Sequence, residues 1–134
     1  MKLLLVEDLP ADIRLIEEAI VELNYPCEVS IMKSGRELFR HLKSISNQEL
    51  PDLILLDYSL PMMSGDDILY HLKESLLWQG IPVVVFSSSV TMQDQARFQA
   101  LGAEGFLIKP YAYDDLLKVL QGVLSFWDRR GLSA

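Results

Sequence analysis

The sequence predicts an α/β fold: a doubly wound sheet of five parallel strands with a helix following each. Two observations carry the prediction. Short apolar runs alternate five times with longer segments of helical period, the pattern of a parallel sheet covered on both faces. Three of the runs are continuously apolar, as strands buried on both faces must be.

Taken in order, the strands are "KLLLV" (Lys2 to Val6), "CEVSIM" (Cys27 to Met32), "LILL" (Leu53 to Leu56), "VVVFS" (Val83 to Ser87) and "GFLI" (Gly105 to Ile108). The second sets Cys27, Val29 and Ile31 against Glu28 and Ser30, an alternation that suits an edge strand. Spacing gives the helical faces: Ile16, Ala19, Ile20 and Leu23 on the first; Leu38, Leu42 and Ile45 on the second; Ile68, Leu69, Leu72 and Leu76 on the third. The last helix has the strongest stripe, Leu116, Leu117, Leu120, Val123, Leu124 and Trp127. The fourth has a thin one, Ala96, Ala100 and Leu101, so its packing should be the loosest. Pro10 opens the first helix, Ser34 caps the second and Gly102 stops the fourth. With right-handed crossovers, the flavodoxin-like strand order 2-1-3-4-5 is the commonest arrangement for such a chain.

A chain of 134 residues, 50% hydrophobic, has the size of one domain, and a single domain over 1–134 is expected, with 123–134 forming the end of the last helix and a short tail. A net charge of -7 argues against an electrostatic grip on nucleic acid or anionic lipid. The lone Cys27 has no internal disulfide partner and is read as a small buried hydrophobe. No signal peptide or membrane span is read, which makes a cytoplasmic location the expectation.

Ligands of such sheets bind beyond the carboxyl ends of the strands. There the sequence sets Glu7 and Asp8 after the first strand, Asp57 after the third, Ser87 at the end of the fourth, and Lys109 with Pro110 after the fifth. Strands one and three are neighbours in this order, so three carboxylates converge and require a cation. Lys109 supplies one charge. Mg²⁺ suits the remainder, held by Asp8, Asp57, a backbone carbonyl near Ser59 and waters on Glu7, with room for a phosphate oxygen. A phosphoryl group beside Asp57 would then meet the ion, Lys109 and the Ser87 hydroxyl, leaving Asp57 to attack as a carboxylate nucleophile. Taken singly, an Asp after a strand is a turn former and Ser87 or Lys109 is weak; their joint placement carries the reading. His41 and His71 lie on helical segments away from these ends and are read as solvated.

The segments "LLVEDLPAD", "DLILLDYSLPMMSG", "PVVVFSSS" and "LGAEGFLIKP" resemble, in order and interval, the four motif blocks of the response-regulator receiver domain, and the resemblance runs from Lys2 to about Gly122. It implies that Asp57 is the phosphoacceptor, that Glu7 and Asp8 hold Mg²⁺, that the Ser87 hydroxyl moves toward the phosphate, that Lys109 pairs with it, and that Phe106 is the aromatic switch residue. It implies a Lys109–Pro110 step that is often cis, and a phosphohistidine donor on a sensor histidine kinase. The protein would be a phosphoacceptor that assists its own phosphorylation and dephosphorylation rather than an enzyme.

Several features depart from that pattern. Leu9 replaces a frequent Asn, Ser59 and Ser89 occupy positions that tune phosphate lifetime, and Phe106 lacks a phenolic hydroxyl. Output would pass through the face of the fourth helix, fifth strand and fifth helix. With no output domain expected, the signal leaves by contact with a target, or by relay to a histidine phosphotransfer protein. Phe126 falls off the apolar stripe next to Trp127. Stand-alone receivers paired with bacterial phytochromes resemble this chain in size and in such terminal aromatics, which implies a homodimer. The competing classes are an aspartyl phosphohydrolase, whose second Asp is Ser59 here; a docking module independent of phosphorylation; and a flavin carrier, whose phosphate loop "EDLPAD" does not provide.

Overall fold

The computed structural model describes residues 1–60, 62–88 and 90–128. Five strands, β1 (Lys2–Val6), β2 (Glu28–Met32), β3 (Leu53–Leu56), β4 (Val83–Ser87) and β5 (Gly105–Ile108), form one parallel sheet in the order β2-β1-β3-β4-β5. Between and after them run α1 (Pro10–Leu23), α2 (Gly35–Ser44), α3 (Gly65–Glu74), α4 (Met92–Leu101) and α5 (Tyr113–Trp127), with a short 3₁₀ turn at Asn47–Glu49. This is the predicted flavodoxin-like arrangement. None of the described helices is long and apolar enough to cross a membrane.

Because side chains alternate across a strand, the central strands feed two cores. Leu3, Leu5, Leu53, Leu55, Val84 and Phe86 pack under α1 and α5, while Leu4, Val6, Ile54, Leu56 and Val83 pack under α2 and α3. β1, β3 and β4 are buried almost throughout, which accounts for their unbroken apolar runs. β5 is the second edge: Phe106 and Ile108 stand exposed while Gly105 and Leu107 turn inward.

The helix signals act as read. Pro10 sits in the first turn of α1, the Ser34 hydroxyl accepts from the Glu37 N–H at 3.1 Å, and Gly102 ends α4 in the left-handed region. Four readings need correction. β2 begins at Glu28 rather than Cys27. Leu76 lies beyond the end of α3 and is 89% exposed. Ala96 and Ala100 face solvent, and the anchor of α4 is Phe98, 1% exposed, because a single large ring turned inward replaces the stripe of small residues. No peptide bond among the described residues is cis, Lys109–Pro110 included. Ser89 and the tail beyond Asp128 lie outside the described residues.

Candidate functional site

Register brings the acidic residues together. Val6 pairs with Leu56, so the residues that follow, Glu7 and Asp57, leave adjacent strands side by side; the Asp57 N–H donates to the Val6 carbonyl at 2.9 Å and the Glu7 N–H to the Met32 carbonyl at 3.0 Å. The backbone is therefore still in the ladder where the charges begin. Carboxylate oxygens of Glu7, Asp8 and Asp57 all lie within 4.8 Å of one another. Glu7 and Asp57 are 1% and 5% exposed, an unusual burial for carboxylates without close partners.

Lys109 supplies the partner from the far side. The Lys109 N–H donates to the Ser87 carbonyl at 2.7 Å, which fixes the start of the β5–α5 loop against β4. Its ammonium then donates to Glu7 Oε1, to Asp12 Oδ2 at 2.8 Å and to Asp57 Oδ1 at 3.5 Å. Burial works against the charged amine, but the hydrogen bonds to Asp12 and Glu7 and the charge of Asp57 outweigh it, and the Lys109 pKa is pushed up to about 12. For Glu7, burial is the largest influence and raises the carboxyl, with the Asp57 charge acting in the same sense. The Lys109 hydrogen bond offsets only part of this, and the Glu7 pKa stands at about 7. Three carboxylates thus face one ammonium with Asp8 beside them, and acidic groups are in excess.

The individual oxygens show where a further cation fits. Both oxygens of Glu7 are engaged: Oε1 accepts from Lys109, and Oε2 accepts from the backbone N–H groups of Asp8 at 3.2 Å and Leu9 at 3.4 Å. Asp8 Oδ1, by contrast, is buried with no hydrogen-bond partner, beside the Asp57 carboxylate. An unpartnered buried carboxylate oxygen within reach of two other carboxylates is a donor set for a hard divalent ion.

The other residues picked out by sequence distribute as follows. Ser87 is buried at the end of β4, on the same sheet edge as Asp57. Ser59 is exposed in the loop two residues beyond Asp57. That loop is held close to α3 by a glycine: a Cβ on Gly65 would meet Tyr58 Cα at 3.1 Å, and the Gly65 N–H donates to the Tyr58 carbonyl at 3.3 Å. Phe106 lies away from the carboxylates, on the outer face of β5, where it shares a groove with Phe126 and Trp127 of α5. Phe126 is 76% exposed with its ring edge-on to Trp127, while Trp127 is partly buried against the core. His71 is exposed, His41 is half-buried, and Cys27 is half-buried against the α1–α5 core.

Sequence reasoning missed two participants. Asp12 reaches Lys109 because the helix opened by Pro10 starts directly above the strand ends, and an acid in its first turn was the available signal. The second is Arg97 of α4, whose Nη2 donates to Asp94 at 2.7 Å and to the hydroxyl of Tyr58, the residue after Asp57. No spacing in the sequence connects those two segments.

Comparison with known proteins agrees with this geometry. The model of the response regulator receiver domain family matches residues 3–121. Response regulator Rcp1 of Synechocystis sp. is 34% identical over 128 residues, covering 93% of this chain and 87% of Rcp1. Among solved structures, the phosphorylated cyanobacterial phytochrome response regulator RcpA superposes with a TM-score of 0.85 at 35% identity, covering 96% of this chain and 94% of RcpA. The Mn²⁺-bound form of Rcp1 superposes with a TM-score of 0.82 at 34% identity over the same shares. Fold, acidic cluster and relatives together place this chain in the family of two-component response-regulator receiver domains, to which it belongs.

Proposed function

We propose that the protein is a phosphorylation switch in which Asp57 takes a phosphoryl group from a phosphohistidine of a sensor histidine kinase, in the presence of Mg²⁺. The observation that carries the reading is the buried, unpartnered Asp8 Oδ1 next to Asp57, with the Lys109 ammonium 3.5 Å from the Asp57 carboxylate. Asp8 and Asp57 would hold the ion directly, the Ser59 carbonyl would join them, and Glu7, occupied by Lys109 and two backbone donors, would act through water. Bound there, Mg²⁺ supplies positive charge to the carboxylates and to the phosphoryl oxygens together.

The chain's own residues do the rest. An Asp57 oxygen attacks phosphorus, the bond from phosphorus to the donor imidazole nitrogen breaks, and the imidazole leaves with that electron pair. Lys109 already points its ammonium at Asp57 and neutralises one phosphoryl oxygen, while the Ser87 hydroxyl, on the same sheet edge, donates to another. Movement of Ser87 toward the phosphate opens space at the end of β4 into which Phe106 turns from its exposed position. The α4–β5–α5 face then changes shape for a target protein or for a second copy of the chain, with Phe106, Phe126 and Trp127 forming its apolar part. A difference of a few kcal/mol suffices to exchange the two populations.

The test is direct. Incubation with acetyl phosphate and Mg²⁺ followed by intact mass measurement should give a single phosphate adduct, absent in Asp57→Asn. An adduct retained in that variant removes Asp57 from its role, and steady turnover of phosphate esters without an adduct assigns the site to a hydrolase.

A further inference from the structure

On the opposite side of the molecule from the α4–β5–α5 face, α2 and the loop entering α3 enclose a groove of about 680 Å³. Its walls are Arg36, Phe39, Arg40 and Lys43 from α2, and Met62 and Met63 from the loop. We propose that this groove is a docking site for an acidic amphipathic segment of a partner protein, a contact separate from the phosphorylation-dependent face.

Charge is the first argument. The chain carries 12 Lys and Arg against 19 Asp and Glu, yet residues 33–43 hold Lys33, Arg36, Arg40 and Lys43 with Glu37 as their sole acid. Glu37 is committed to the helix start, where its carboxylate accepts from the Lys33 N–H at 2.6 Å. Arg36, Arg40 and Lys43 follow one another at helical spacing, so they form a stripe along the groove. All three are exposed, and none makes an ion pair among the described residues. A positive strip on a protein of net charge -7 selects a carboxylate-bearing partner, and the acidic surface of a second copy is the competing occupant that the experiment has to separate from it.

Local rules broken at the groove are the second argument. Arg36 stands in the first turn of α2, where the helix dipole disfavours a cation, and it stacks Arg40 one turn above it, a like-charge pair that weakens a helix. Met62 has φ 68°, the left-handed region that an apolar side chain seldom adopts, and its side chain is fully exposed. Each choice costs a little stability, and such departures collect at functional surfaces. The floor, in contrast, is tightly made. A Cβ at Gly35 would lie 2.6 Å from Met63 Sδ and 3.0 Å from Ile68 Cγ1, so Met63 seats directly on the helix start. Phe39 is packed in turn on Trp78, with ring centroids 5.7 Å apart.

A packed apolar floor with cations along one rim fits a helix that presents an apolar residue flanked by carboxylates one turn apart. The probe is a fluorescein-labelled synthetic peptide with Glu residues four apart and a Leu between them on the same face, followed by anisotropy against the full chain. Saturable binding is expected, weakening as salt rises. The double variant Arg36→Glu/Arg40→Glu should weaken it about tenfold, since two exposed attractions become repulsions. Met62→Ser should weaken it by a smaller factor, while Arg40→Lys should retain most of it. Circular dichroism and phosphate-adduct formation, unchanged in these surface variants, establish that the fold is intact. No saturable binding, or equal binding by the charge-reversed variant, overturns the proposal. So does preferential binding of anionic phospholipid vesicles over the peptide, or self-association of the wild type that the double variant abolishes.

Discussion

Two clusters in this molecule have the same ingredients and opposite physics. In one, Lys109 sits among Glu7, Asp12 and Asp57; in the other, Arg97 sits between Asp66 and Asp94, with Nε 2.8 Å from Asp66 and Nη2 2.7 Å from Asp94. Lys109, Glu7 and Asp57 side chains are 13%, 1% and 7% exposed, whereas the Arg97 side chain is 39% exposed. In the first cluster water is excluded, each charge is felt at close range, and burial, with the Asp57 charge acting in the same sense, holds the Glu7 pKa at about 7. In the second, the guanidinium as a whole reaches solvent, which weakens its pairs, and its buried Nε does not point its hydrogen at Asp66 despite the short distance. Charge therefore governs the energetics of the strand ends. On α4 it governs only orientation, and what holds the helix is the Phe98 ring, buried beneath Arg97 and edge-on to Tyr58 with centroids 5.0 Å apart.

The largest effect should accordingly come from an apolar change in the more exposed cluster. Phe98→Ala removes the one fully buried side chain of α4 and is expected to lower stability by about 3–5 kcal/mol in urea titration. A loss below about 1 kcal/mol would mean that the ion pairs, not the ring, anchor the helix. Next comes Lys109→Met, which leaves Glu7 and Asp57 buried without their cation; about 3 kcal/mol is expected in the presence of a chelator. Because the substitution deepens the carboxylate excess, added Mg²⁺ should recover part of the loss, and Ca²⁺ should do so as well. If neither ion raises stability, the cluster does not bind hard cations and the contrast between the two sites fails.

The same difference explains what was readable in the sequence. β1, β3 and β4 announce themselves because burial on both faces demands unbroken apolar runs, and the candidate site carboxylates are the residues at which those runs stop. A sheet of known order then converts five chain positions into one site, so Glu7, Asp8, Asp57, Ser87 and Lys109 were legible from strand ends alone. Asp12 was not, since it depends on how high above the sheet α1 begins. Nor was the α4 cluster. Tyr58, Asp66 and Arg97 come from three segments whose approach is set by Phe98 and the close contact at Gly65, and Phe98 itself hides among polar residues where periodicity points to Ala96 and Ala100. One ring in a polar helix gives no period to read.

Arg97→Gln should have the smallest effect, and it is the most discriminating. The guanidinium lies over both the Tyr58 and Phe98 rings, 5.6 and 5.8 Å from their centroids, and bridges α4 to the residue that follows Asp57. Phe98 remains in place in the variant and the lost pairs are partly open to solvent, so the urea midpoint should move little. Hydrogen exchange reads something else, the local opening of one element against the rest. Amides of α4 should exchange faster in the variant while those of β1 and β3 keep their wild-type protection. If phosphorylation works by shifting α4, the bridge from Arg97 to Tyr58 biases that helix toward the unphosphorylated position, and its removal should make α4 exchange in the unmodified variant approach that of the phosphorylated wild type. Unchanged α4 protection would show that the Arg97 contacts are passengers on the Phe98 anchor, whereas a global loss of protection would place Arg97 in the same class as Lys109 and erase the distinction between the two clusters.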